Sequence, residues 1–142
     1  MHMKDGTKLK STAWLFNDPT HGSCGYDPSK EYRAIGWLGN RPLVTGDVPN
    51  EVVPALIKLA YSDACSRMRG VHWCEYCGAQ EVRVTTEGGH EIRLGSAEIW
   101  VPGVGNVVYF APNLVIQYIR DHGYQPPQKF IDAVMKYSAA SG

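Results

Sequence analysis

Apolar and polar residues alternate most regularly in the middle of the chain, where they predict short β-strands. The segment EVRVTT alternates with period two, a Gly88-Gly89 turn follows, and HEIRL alternates again. Strict alternation indicates a strand with one buried face, and a glycine pair between two such segments is typical of a hairpin. AEIWV and NVVYF follow, joined by the turn PGVGN. The pattern therefore predicts a small antiparallel β-meander over about residues 81–110. A further short strand is predicted at residues 12–16.

Three helices are predicted around this meander, over about residues 51–66, 112–122 and 127–137. A polar residue that can cap a helix precedes the first, a proline opens each of the other two, and a glycine follows the second. A meander with helices segregated around it defines an α+β fold. The residues that carry these start and stop signals are Asn50, Pro112, Gly123 and the pair Pro126-Pro127.

Apolar residues recur at helical spacing within each predicted helix and mark the face that we expect to pack inward. The inward stripe of the second helix also carries a histidine, which is either a metal ligand or a core histidine with a hydrogen-bond partner. The three faces are Val53, Ile57, Ala60 and Ala64; then Val115, Tyr118, Ile119 and His122; then Phe130, Ile131, Val134 and Tyr137.

Size and charge narrow the class of protein. The 142 residues fit one domain, 1–142, with a core of useful size. The 14 basic and 14 acidic side chains cancel, so nothing argues for a broad nucleic-acid surface. No stretch is apolar enough to span a membrane, and the N-terminus lacks the apolar segment of a secretory signal. A cytoplasmic location is expected, where a C-x-x-C pair is typically metal-binding or redox-active.

The segment VHWCEYCGA carries the clearest candidate chemistry, because Cys74 and Cys77 are separated by two residues. A tight turn of this kind offers two thiolates to a tetrahedral zinc ion. His72 lies two residues before Cys74, so both side chains point to the same side of an extended segment. With His122 from the inward stripe of the second helix, these residues form a predicted structural zinc site: Cys74, Cys77, His122 and His72.

Two other interpretations of the cysteine pair stay open. The tryptophan before Cys74 resembles a thioredoxin-type redox motif, in which the first cysteine opens a long helix. Here Gly78 and the strand-like EVRVTT follow at once and leave no room for that helix. Both thiols can also be buried core residues without chemistry, since free cysteine is among the most buried residue types.

A group of polar and aromatic residues around the second helix forms a possible pocket. Each has a simpler explanation, because tyrosines near a core usually pack and a strand carboxylate is usually solvated. The candidate pocket residues are Glu98, Tyr109, Asn113, Gln117 and Tyr124.

The order of motifs GWL, TGDVP, RGVHWCEYC, LGSAEIWVPG and YFAPNLVIQYIRDHGYQPPQKFIDAV resembles a family of small uncharacterised bacterial proteins of unknown function. The most specific parts are G-x-H-x-C-x-x-C, G-S-A-E-I-x-V and Y-x-A-P…Y-I-x-x-H-G-Y-x-P-P. The resemblance implies a histidine before the tyrosine of the second helix, which would complete a two-Cys, two-His set. This chain carries Gln117 at that position, so the set is complete only if His72 serves as the fourth ligand.

These observations predict a non-enzymatic binding, regulatory or immunity-type module with a protein partner and a structural zinc. The alternative is an enzyme, either a thiol–disulfide oxidoreductase that uses Cys74 and Cys77 or a metal-dependent enzyme. The alternatives predict different behaviour, because chelation unfolds a domain held by structural zinc, whereas a redox dithiol cycles without metal.

Overall fold

The computed structural model describes residues 5–8, 29–38, 42–62, 64–65, 74–79 and 82–140. Within these ranges three α-helices and six β-strands follow the order β1, α1, β2, β3, β4, β5, β6, α2, α3. The α+β class predicted from the pattern is confirmed. The strand predicted at residues 12–16 lies outside the described residues. The strands are β1 (Glu31–Ala34), β2 (Ala64–Cys65), β3 (Arg83–Thr85), β4 (Glu91–Arg93), β5 (Glu98–Pro102) and β6 (Val107–Pro112).

The predicted strands between residues 81 and 110 form, but they divide between two sheets instead of forming one meander. β3 and β4 pair as an isolated antiparallel hairpin, with Val84 opposite Ile92. β5 and β6 form the antiparallel centre of a four-stranded sheet of order β1-β6-β5-β2. β1 pairs with β6 in parallel, with Tyr32 opposite Val108. A pairing between segments so far apart in sequence leaves no signal in a local alternation of apolar residues.

The helices are α1 (Val52–Ser62), α2 (Val115–His122) and α3 (Gln128–Ala140). The second helix begins later than predicted, because Pro112 is the last residue of β6. Its end is as predicted: Gly123 has φ 70°, and the Tyr124 N–H donates to the Tyr118 carbonyl at 3.0 Å. A glycine suits this left-handed position because it has no Cβ to clash.

The inward faces of α2 and α3 agree with the apolar pattern, whereas that of α1 does not. Val115, Tyr118 and Ile119 are buried on α2, and Phe130, Ile131 and Val134 on α3. In α1 the buried residues are Val52, Ala55, Leu56, Leu59 and Ala60, while Val53 and Ile57 are only partly buried. Nearly every position of α1 is apolar, so periodicity alone does not single out one face.

The two faces of the four-stranded sheet are buried in different ways. One face contributes Ile99, Val101 and Ala111 to the main apolar core, against which the helices pack. The opposite face carries a second cluster, which we call the aromatic cluster. Its Trp37 indole N–H donates to the Phe110 carbonyl at 3.1 Å, and its Tyr32 and Trp100 rings meet edge to face. The aromatic cluster consists of Tyr32, Ala34, Trp37, Trp100 and Phe110.

Along the described part of the chain, no helix combines the length and the apolar character that crossing a membrane requires.

Candidate metal centre

Residues 74–79 form a closed turn that holds the cysteine pair. The Gly78 N–H donates to the Cys74 carbonyl at 2.8 Å, and the Cys74 N–H donates to the Ala79 carbonyl at 3.1 Å. Gly78 has φ 73°, a conformation that glycine adopts without the steric cost that a Cβ brings. The backbone therefore fixes both cysteines of the C-x-x-C pair within one small loop.

Tyr76, between the two cysteines, packs this turn against α2. Its ring meets the Tyr118 ring edge to face, with centroids 5.6 Å apart, and lies 5.7 Å from the His122 ring. Edge-to-face aromatic pairs of this kind add to the stabilisation that burial provides. Tyr76 therefore sets which end of α2 faces the cysteines.

The sulfur atoms of Cys74 and Cys77 and a ring nitrogen of His122 all lie within 4.8 Å of one another. Cys74 Sγ is 3.3 Å from His122 Nε2, across 48 residues of sequence. Cys74 is buried, Cys77 is exposed and His122 is half-buried. Two thiolates and an imidazole are ligands that zinc prefers, so this group can hold a metal ion.

The two thiols differ in electrostatic environment. Burial raises the pKa of Cys74, and the backbone N–H groups of Cys77 and Tyr76 oppose that rise. The Ala79 N–H lowers the pKa of Cys77 below its ordinary value, and contacts with Cys74 and Gln117 lower it further. Hydrogen bonds to a sulfur favour its thiolate, which is the form that binds metal. The turn therefore supplies N–H donors to both sulfurs.

Gln117 is also at this centre, one helical turn and a half before His122. Its side-chain Nε2 donates to Cys77 Sγ at 3.3 Å, and the residue is 2% exposed. Its Oε1 is buried and is the side-chain oxygen that lacks a hydrogen-bond partner within the described ranges. Sequence reasoning placed Gln117 in a possible pocket and treated it as a missing histidine. Its amide instead contacts one of the two cysteines directly.

The other predicted pocket residues are buried but have separate partners. Glu98 lies opposite Pro112 in the sheet and therefore shares a face with Phe110, whereas Tyr109 points to the other face. Glu98 and Tyr109 therefore do not line one pocket. Tyr109 packs edge to face on Phe130, the Asn113 side chain accepts the Gly95 N–H at 2.7 Å, and the Tyr124 hydroxyl donates to Asp5 at 2.5 Å.

Glu98 is the most unusual of these residues, since it is a carboxyl that is 2% exposed. The Trp100 indole N–H donates to its Oε1 at 2.8 Å. Burial raises the pKa of Glu98 to about 7, and the hydrogen bond from Trp100 only partly opposes that rise. Sequence reasoning favoured a solvated strand residue here, and the burial of the aromatic cluster's face is what makes that interpretation wrong.

His72, the predicted fourth ligand, lies outside the described residues, so its ligation stays a prediction.

The arrangement of the two cysteines bears on the redox alternative. In a thioredoxin-type motif the first cysteine lies at a helix N-terminus with a lowered pKa. Here Cys74 is buried with a raised pKa, and both cysteines lie in a turn.

The chain matches the model of a protein family described as a domain of unknown function (DUF7919) over residues 1–135. Because the match covers nearly the whole chain, the protein belongs to this family, a domain of unknown function. Neither a curated protein nor a solved structure matches the chain. The observations on function therefore come from the residues themselves.

Proposed function

We propose that this protein is a non-enzymatic binding or regulatory module whose fold is held together by one structural zinc ion. The observation that carries the proposal is the convergence of Cys74, Cys77 and His122, whose ligand atoms lie within 4.8 Å of one another. The two thiolates favour zinc over magnesium or calcium, which prefer oxygen ligands.

The position of the cluster in the fold supports a structural role. Zinc bound there would tie the 74–79 turn to the C-terminal end of α2. In the metal-free chain the Cys74–His122 contact at 3.3 Å joins these segments weakly, because a thiol is a poor hydrogen-bond partner. Metal bonds across 48 residues of sequence would restrict the unfolded chain as a long-range cross-link does. The partner of the module would then be another protein that recognises the surface so stabilised.

The test is the metal content of purified, untagged protein together with zinc titration of the metal-free form. We expect about one zinc per chain, in keeping with a single tetrahedral site. Cys74→Ser and His122→Asn should lose it. His90→Asn is the matched control, because His90 is exposed and stacks on Tyr61 instead of facing the cysteines.

Two results would overturn the proposal. One is a wild-type chain that neither contains nor takes up zinc. The other is a Cys74→Ser variant that binds zinc as well as the wild type. A metal-free dithiol that oxidises and re-reduces reversibly, without unfolding, would favour the thiol–disulfide oxidoreductase instead.

A further inference from the structure

We infer that the side-chain oxygen of Gln117 is the fourth ligand of this metal centre. The inference rests on the proposed zinc site and adds the identity of the group that closes it. Three protein ligands alone leave a zinc ion with an open position, which is typical of catalytic sites, whereas structural sites are closed by a fourth. The source of that fourth ligand therefore decides which kind of site this is.

Gln117 is the polar side chain of the described residues that already contacts the cluster from the protein interior. Its amide nitrogen lies 3.3 Å from Cys77 Sγ. It stands on α2, the helix that also carries His122, so the same rigid element positions both side chains. Because Gln117 is 2% exposed, its amide approaches from the side of the cluster that water does not reach.

The second observation is the unpartnered oxygen at the other end of the same amide. Gln117 Oε1 is buried and finds no hydrogen-bond partner among the residues that the structure describes. A buried acceptor left without a partner is energetically costly, so such atoms are rare unless something else satisfies them. A metal ion bound by the neighbouring cysteines would give this oxygen a partner once the amide has turned towards it.

The two ends of an amide have the same shape, and half a turn about its last side-chain bond exchanges them. The Gln117 amide nitrogen faces Cys77, where its N–H donates to the sulfur. An amide nitrogen has no free electron pair for a metal, whereas the carbonyl oxygen has two. We therefore expect metal binding to turn the Gln117 amide so that its oxygen faces the ion.

Charge is consistent with this ligand set. Two thiolates neutralise a divalent ion, and a neutral imidazole and a neutral amide add no charge that burial would penalise. An amide oxygen is a weaker ligand than imidazole, so this centre should bind zinc less tightly than one with two histidines. Gln117→His should accordingly raise the affinity for zinc.

The first test uses cobalt(II) in place of zinc, since the absorption of cobalt reports its coordination. Gln117→Leu removes the ligand and should open a coordination position. We expect azide to alter the spectrum of the cobalt-loaded variant and to leave that of the wild type unchanged. Gln128→Leu is the matched control, because Gln128 bonds Asp132 on the exposed face of α3 and should behave as the wild type does. Azide acting equally on wild type and Gln117→Leu would overturn the inference.

The second test separates a ligand from a neighbour that merely donates a hydrogen bond to Cys77. Gln117→Glu keeps the length and puts a carboxylate at the same place. If the oxygen binds the metal, zinc affinity should rise, because a carboxylate is the better ligand. If Gln117 acts only as a donor, the carboxylate would repel the thiolate and affinity should fall. Gln117→Leu should lower affinity by more than the roughly 10–100-fold that losing an outer hydrogen bond costs.

The outcomes also distinguish this inference from the proposed function. A wild-type chain that binds no metal would overturn the proposed zinc site itself. If the wild-type chain binds one zinc, and His72→Ala opens a coordination position whereas Gln117→Leu does not, the zinc site stands. The role of Gln117 as a ligand is then overturned. The cobalt spectrum of His72→Ala is therefore recorded beside the others.

Discussion

Gln117 and Glu98 are two polar residues with the same burial and opposite surroundings. Each is 2% exposed. Gln117 faces two cysteines and a histidine that converge on one point. Glu98 lies on the aromatic cluster's face and accepts a hydrogen bond from the Trp100 indole N–H. Burial alone is therefore a poor guide to function.

The difference lies in what the neighbours can share. At the cysteines, several side chains can donate electron pairs to one metal ion, so that ion satisfies all of them together. Beside Trp100, the carboxyl is buried, and burial favours its protonated form. We accordingly interpret the first region as a binding site and the second as a pH-sensitive element of the core.

The largest expected effect is that of metal removal on the cysteine region. Zinc bound to the native chain at about 1,000 times its dissociation constant stabilises it by about 4 kcal/mol. Chelation should therefore lower the free energy of unfolding by at least about that amount, measured by urea denaturation at constant pH. Cys74→Ser should be insensitive to the chelator. An equal loss in this variant would show that the chelator acts elsewhere.

The second effect concerns Glu98 and depends on pH. A folded-state pKa near 7, above the ordinary 4.5, means that the native chain binds more protons than the unfolded chain between these values. Stability contributed by the protonated carboxyl is therefore complete below pH 4.5 and is lost as pH rises to about 7. Above pH 7, Glu98→Gln should be more stable than the wild type by about 3 kcal/mol, from about 1.4 kcal/mol per pKa unit.

The measurement is the difference in unfolding free energy between Glu98→Gln and the wild type across this pH range. The difference should vanish near pH 4, where both side chains are neutral. Glu87→Gln is the control, because Glu87 is exposed in the β3–β4 turn and should show little difference at any pH. A constant difference at all pH values would point to packing instead of ionisation.

How far the sequence predicts these two regions depends on how local their signals are. The β3–β4 and β5–β6 hairpins, the end of α2 at Gly123 and the inward position of His122 all come from patterns within a few residues. Alternation, glycine turns and helical spacing act over that distance. The sequence offers the approach of Cys74 to His122 only as a hypothesis, because folding is what brings residues 48 apart together.

The rest depends on long-range packing. The parallel pairing of β1 with β6 and the division into two sheets need contacts between distant segments. Glu98 is buried because both faces of that sheet are covered. A polar residue in a strand pattern instead suggests a face open to solvent. The sequence analysis placed Gln117 in a possible pocket, at the position where the family resemblance implies a histidine. It did not count Gln117 among the metal ligands, because glutamine is an uncommon zinc ligand.

A smaller effect should distinguish Gln117 from Glu98 in the metal-free protein. Replacing Gln117 by methionine keeps its length and removes the oxygen that has no hydrogen-bond partner. We expect the metal-free variant to be more stable than the metal-free wild type by about 1 kcal/mol, at every pH. Zinc should reverse the order, because the wild type alone then has its oxygen ligand. Thermal unfolding with and without zinc checks both statements.

An effect of similar size concerns the turn that carries the cysteines. Gly78 has φ 73°, and a Cβ there would contact nothing within 4 Å, so Gly78→Ala introduces backbone strain without a clash. That strain costs roughly 1–2 kcal/mol in unfolding free energy. Gly88→Ala is the matched control, since Gly88 lies in the exposed β3–β4 turn without a positive φ.

The result for Gly78→Ala also tells whether the turn is prepared for metal before metal arrives. If the strain affects the native turn equally with and without zinc, stability falls in both forms and zinc affinity stays the same. If the variant relaxes the turn in the metal-free state, zinc binding must restore it, and affinity falls by the corresponding factor of roughly 5–30. The hydrogen bonds of Cys74 with Gly78 and Ala79 close the turn through its own backbone. We therefore expect the first outcome, with unchanged zinc affinity in a calorimetric titration.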